Sequence, residues 1–285
     1  MVVLLVCGLL LAVPLVLCIV WRRARFVEPT LPAPADGAQP SGVRRRLDGL
    51  RIYAWWASML LLVGTVSGVL VVGAGGRLAM RLLAVTSPEA FGRLTEAQAT
   101  VGIISVQGSI AFLIFAGLPF GFSSSLLYLF VRPWLPSGWL GGPAFGLVAL
   151  IVIAPFEDPL RADNLDFDLV GPGWLSVLVF AALALVQGTF LAAFAGRMSR
   201  SLPLMSRANW PAAILPLLLG LLLFPIGAVL ALGALVAFLA PRVLPWVLMV
   251  RASKTGVLIG RVLMVVAVLA AMPAFVASVV AISQR

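Results

Sequence analysis

Runs of about twenty apolar residues that carry no charge recur along this chain, and they restrict its fold to one that sits in a lipid bilayer. Val2 to Val20 is the first of them. Hydrocarbon offers no partner to a backbone N–H or C=O, so a segment of this kind crosses as a helix that satisfies its own hydrogen bonds. Only 11% of the 285 residues are charged and the mean hydropathy is +1.14. A soluble domain carries about 25% charged residues, which leaves no room here for a separate soluble domain. The chain reads as an all-α polytopic membrane protein of about eight transmembrane helices, with seven as the alternative.

The charges set the expected topology. Seven of the twenty basic residues lie between Arg22 and Arg51, directly after the first apolar run. Cytoplasmic loops collect Arg and Lys, so the net charge of +10 reads as orientation, with anionic lipid headgroups as the partner of residues 22–51 and no role for nucleic acid. The chain then divides into three parts: residues 1–21 as a retained transmembrane anchor with the N-terminus outside, residues 22–51 as a basic, Pro/Ala-rich cytoplasmic linker, and residues 52–285 as a helical bundle. The expected location is a bacterial plasma membrane, crossed many times.

Within the bundle, spans are expected at about 53–73, 107–131, 139–155, 174–196 and 257–281. The long apolar stretch 210–250 reads as a tight hairpin of two more, turning near Pro225 to Gly233 and leaving Arg242 within a span. All eight tryptophans then fall at span ends, where amphipathic rings belong. Gly64 and Gly68, and Ala184, Gly188, Ala192 and Gly196, repeat every four residues, the spacing of a helix face that lets a neighbouring backbone approach. Pro119 predicts a bend in its span. Gly76 to Val85 reads as an amphipathic turn on the outer surface, and Thr95 to Gln98 as a capping box opening a further helix.

Residues 156–168 hold five of the ten acidic residues. Flanked by apolar runs, they must face water or a polar cavity, since an unpaired carboxylate in hydrocarbon is too costly to keep ionised. Together with residues 76–106, the segment 156–172 is expected to form an outer cap. Glu157, Asp158, Glu89 and Glu96 supply its acids, and Arg161, Arg77, Arg81 and Arg93 its cations. Asp163, Asp166 and Asp168 are hard oxygen ligands suited to a divalent cation, although their spacing departs from the calcium-loop pattern; no other cofactor is expected. Histidine is absent, which removes an imidazole base and a His-ligated metal. No nucleophile or phosphate-binding motif is present, and no catalytic residue is assigned.

Three functions remain on this reading. The first is a structural or accessory subunit that docks a partner protein, or a second copy, through the acidic cap. The alternative is a transporter with a polar path between kinked spans, and the third a metal-dependent lipid or prenyl-diphosphate enzyme. Residues 75–102 and 163–172 (DNLDFDLVGP) resemble a group of uncharacterised multi-span membrane proteins of GC-rich actinobacteria. That resemblance implies a plasma-membrane location and carries no activity.

Overall fold

A computed structural model describes residues 2–31, 42–157, 160–206, 208–222 and 224–285. Its regular elements are helices: α1 (Val2–Val20), α2 (Gly42–Val85), α3 (Val106–Trp134), α4 (Gly141–Ile153), α5 (Gly173–Ser201), α6 (Trp210–Gly220), α7 (Phe224–Leu239), α8 (Val243–Ala252) and α9 (Lys254–Ser283). Five of these, α1, α2, α3, α5 and α9, are long and apolar enough to cross a membrane, or six if α7 and α8 are taken as one bent span.

The long helices run between two chemically different ends. At one end the start of α1 lies beside Arg81 and Gly102, and the end of α9 meets the start of α5, where Gly173 N–H donates to Arg285 O at 3.4 Å. This is the acidic end, which also carries residues 86–105, 154–157 and 160–172. At the other end Ala24 touches Gly196, Arg200 donates to Arg25 O, and Arg261 donates to Trp134 O. This basic end gathers the arginines after α1, around the start of α2 and at the end of α5. Helix α4 is short, yet it too joins the two ends, packing antiparallel against α5 with Gly142 beside Thr189 and Gly146 beside Ala184.

The apolar stretch after α5, where a pair of spans is expected, is divided among three shorter helices. Helices α6 and α7 fold back on one another against the first part of α2: Ser58 donates to Ala213 O, Gly220 sits against Leu61, Tyr53 donates to Leu230 O, and Gly49 touches Pro241. These contacts lie between Gly49 and Leu61, so the hairpin enters and leaves on the basic side. The chain then bends by 96° into α8, with Arg242 at the turn. Pro211, Pro216 and Pro225 interrupt the run often enough to keep any one piece short.

Other local expectations are also revised. The linker's last residues, from Gly42 onward, already belong to α2, because the arginine-rich stretch is itself helix-forming; residues 32–41 of the proline-rich part lie outside the described residues. Gly76 to Val85 continues α2 instead of lying flat, since the disruption at Gly68–Gly73 is absorbed as a π-helical turn. Thr95 to Gln98 opens no helix. Gln98 takes a φ of 58°, Thr95 Oγ1 accepts from Ala99 N–H, and Leu94 bridges Thr100, because the Thr-Val-Gly after Ala99 favours extended backbone.

The core is set by glycine. The π turn of α2 faces a second one in α3, Leu113–Gly117, which widens the helix just ahead of Pro119 and so makes room for its ring. A Cβ at Gly68 would lie 2.5 Å from Gly117 O, and one at Gly121 would lie closer still to Gly64 O. On the other side a Cβ at Gly188 would lie 2.5 Å from both Gly142 O and Gly146 N. Gly188→Val is therefore expected to destabilise the protein by about 3 kcal/mol, since backbone on the facing helix cannot yield as a side chain can. Gly8→Ala, where nothing lies within 4 Å, is expected to cost nothing measurable; unfolding in detergent micelles compares the two.

Candidate functional site

At the acidic end two loops are stitched together by polar contacts. Arg161 Nη2 donates to both oxygens of Glu96, at 3.0 and 2.9 Å, and Arg161 Nε lies 3.3 Å from Asp163 Oδ1. Glu96 N–H donates to Asp166 Oδ1 at 2.7 Å. Asn164 Oδ1 accepts from Asp166 N–H, which fixes the turn leading into the short helical turn Leu165–Asp168. At the far edge Gly171 N–H donates to Ser87 Oγ, and Gly171 O accepts from the Thr86 hydroxyl. Arg285 donates to Ala162 O and Asn164 O and lies 3.3 Å from Asp168 Oδ1. Leu160 and Phe167 anchor the segment from below, packed with Leu150 and Ile282.

The ion pairs are partly solvated, so each contributes at most about 1 kcal/mol; their effect is to fix loop geometry. What they leave outward is mixed in chemistry. Glu89, Glu157, Asp163 and Asp168 are exposed, and beside them in the same loops Phe91, Phe156 and Leu165 are at least 60% exposed. Asp158 lies outside the described residues.

The three aspartates singled out for a cation point to different protein groups: Asp163 to Arg161, Asp166 to the Glu96 amide and Asp168 to Arg285. Among the described residues no three His, Cys, Asp or Glu side chains come together. The arginines divide as well. Arg161 joins the acids, whereas Arg77 donates to Gly108 O and lies over the Phe112 ring at 4.9 Å, and Arg81 donates to Gly102 O at 3.2 Å. Neither they nor Arg93 make an ion pair among the described residues.

Among the described residues the most buried charge is at the other end, which the sequence does not mark as a site. Glu28 Oε1 accepts from Arg132 Nη2 at 2.6 Å and lies 3.5 Å from Arg251 Nη2. The Arg251 side chain is only 5% exposed. Its Nη1 donates to Leu129 O and Phe130 O near the end of α3, where Pro133 has no N–H to offer Leu129 O. Both guanidiniums stand over aromatic rings, Arg132 over Phe26 at 4.0 Å and Arg251 over Trp56 at 5.1 Å. Phe26 in turn packs on Trp55 and Trp56, and Trp134 Nε1 donates to Arg251 O. One carboxylate thus ties the segment after α1 to α3 and α8. Nothing periodic marks Glu28 in the sequence, because Arg132 lies 104 residues away.

Between the two ends the polar side chains serve packing. Gln187 Nε2 donates to Ser124 Oγ at 2.8 Å, and Ser124 donates to Gly121 O. Two surface depressions lie toward the acidic end. One, of about 400 Å³, is apolar and lined by Trp174, Val177, Leu178 and Ala181; the other, of about 410 Å³, is lined by Val2, Val3, Leu4, Arg81, Gly102 and Ile104.

Comparison with protein-family models, with curated proteins and with solved structures finds no match for this chain.

The two arginine sites differ in burial, and that difference is measurable. Arg251→Met strands the buried Leu129 carbonyl and the part-buried Phe130 carbonyl and removes a cation from Glu28, and is expected to destabilise the fold by about 2–4 kcal/mol. Arg161→Met, at a half-solvated pair, is expected to cost less than about 1 kcal/mol. Denaturation of both variants in the same detergent checks the contrast.

Proposed function

We propose that the chain is an accessory membrane protein without catalytic machinery, whose acidic end is a platform for docking a partner protein. The observation that carries this reading is the division of labour in the two loops. Arg161 pairs with Glu96, Arg285 pairs with Asp168, and Asp166 accepts from the Glu96 amide, which holds the loops in place, while Glu89 and Glu157 are left outward beside Phe91 and Phe156. A fixed surface that pairs carboxylates with exposed aromatic rings suits a partner presenting basic residues around an apolar centre. The transporter reading has less to rest on. Gln187 and Ser124 bond each other, and the glycine backbones of α2 and α3 fill the space where a path between kinked helices would run.

In this proposal the chain makes six crossings, the five long helices and α4, with α6 to α8 entering and leaving on the basic side. The basic end faces the cytoplasm of a bacterial cell, as the distribution of arginine favours, and both chain ends face outward. Gly227→Cys near the tip of the hairpin is then expected to resist a membrane-impermeant maleimide in intact cells, whereas Asp163→Cys is labelled. Labelling of Gly227→Cys from outside is the outcome of eight crossings.

Docking is tested by mild cross-linking and co-purification of the full chain. The wild type is expected to retain a partner that Glu89→Lys with Glu157→Lys releases by at least about tenfold, a loss of roughly 1.4 kcal/mol or more. Neither residue holds the loops together, so thermal stability is expected to stay unchanged. A wild-type protein that purifies alone, or a partner indifferent to charge reversal, overturns the docking reading.

A further inference from the structure

We propose that Arg81, supported by Arg77 one turn below it, forms a binding site for the phosphate of an anionic phospholipid in the leaflet at the acidic end. The starting point is a mismatch. This end of the molecule holds most of the protein's carboxylates, and Arg161 and Arg285 find them, yet Arg77 and Arg81 bond only backbone carbonyls, of Gly108 and Gly102. Two cations four residues apart on α2 stand on the same helix face. At the edge of a bilayer, with one guanidinium drawn over the Phe112 ring and both lacking a carboxylate among the described residues, they leave a local positive charge uncompensated.

The second observation is the shape beside them. Arg81, Gly102 and Ile104 form one wall of the depression of about 410 Å³, and Val2, Val3 and Leu4 form the other. That volume lies in the range of small-ligand sites. Its chemistry runs from cationic to apolar within one cavity, and the apolar side continues down α1 through exposed Leu5 and Leu9. A phosphodiester takes the fork of an arginine, because planar N–H donors match its oxygens. The attached acyl chain then lies along the apolar face of α1. A free phosphate satisfies only the first half of that surface, which is why the lipid is the better fit.

The site is read directly by placing a photo-cross-linking residue at Val3 in the full chain, reconstituted in bilayers of phosphatidylglycerol and phosphatidylcholine at equal amounts. Phosphatidylglycerol is expected among the captured lipids in excess over phosphatidylcholine, and Arg81→Gln is expected to reduce that excess roughly fivefold, the factor that one interfacial basic residue supplies. Arg77→Gln with Arg81→Gln should abolish it. Arg93→Gln, at the same end but away from the cavity lining, should leave it intact. Equal capture of the two lipids by the wild type, an excess indifferent to both arginines, or full displacement of the lipid by millimolar inorganic phosphate overturns the proposal. Phosphatidylglycerol-dependent protection of the wild type against thermal unfolding, lost in the double variant, gives a second readout that does not depend on the probe.

Discussion

Helix-to-helix backbone contact through glycine is the constraint on which the bundle depends. In lipid no hydrophobic force drives apolar helices together, so their association rests on close van der Waals packing. Here Gly64, Gly68, Gly117 and Gly121 bring α2 onto α3, and Gly142, Gly146 and Gly188 bring α4 onto α5. The same contacts have a second effect. Bringing main chains within reach of each other removes the space between helices, so the polar chemistry of the protein is pushed to the two ends. The paired π turns belong to this arrangement: each widens its helix where a glycine on the opposite one must fit.

The two ends solve the problem of charge beside a bilayer in different ways. At the acidic end, ion pairs among loop residues are solvated and cheap, and they shape a surface. At the basic end, Arg251 is withdrawn beneath Trp56 and Arg132 lies over Phe26, while the half-exposed Glu28 bridges the two, and their bonds join segments far apart in the chain. Removing Arg251 leaves the buried Leu129 carbonyl without its donor and Glu28 with one cation in place of two.

How much of this is written in the sequence depends on the range of the interaction. The apolar runs identify α1, α2, α3, α5 and α9, and the four-residue spacing of Ala184, Gly188 and Ala192 identifies the face that α4 covers, because both signals are local and periodic. The hairpin of α6 and α7 is not legible in the same way. Its composition is that of two spans, and only contacts with Ser58, Tyr53 and Leu61 show how short each arm is. The acidic stretch stands out by composition, whereas its link to Glu96 runs through its own cation, Arg161. By contrast, the preference of Arg77 and Arg81 for carbonyl oxygens, and the seat of Glu28, depend on where the backbone of another helix ends. A turn such as Thr95–Gln98 misleads for a related reason: capping residues signal a helix only if the residues beyond them can continue one.

The one-sided hairpin alters the outline of the molecule. Helices that join both ends occupy the two leaflets equally, whereas α6, α7 and α8 add their apolar bulk against α2 only between Gly49 and Leu61. A body broader at one end than at the other is a wedge, and a wedge displaces more lipid from one monolayer than from its opposite. In the six-crossing arrangement proposed above, the short apolar hairpin therefore gives the protein a larger footprint in one monolayer than in the other.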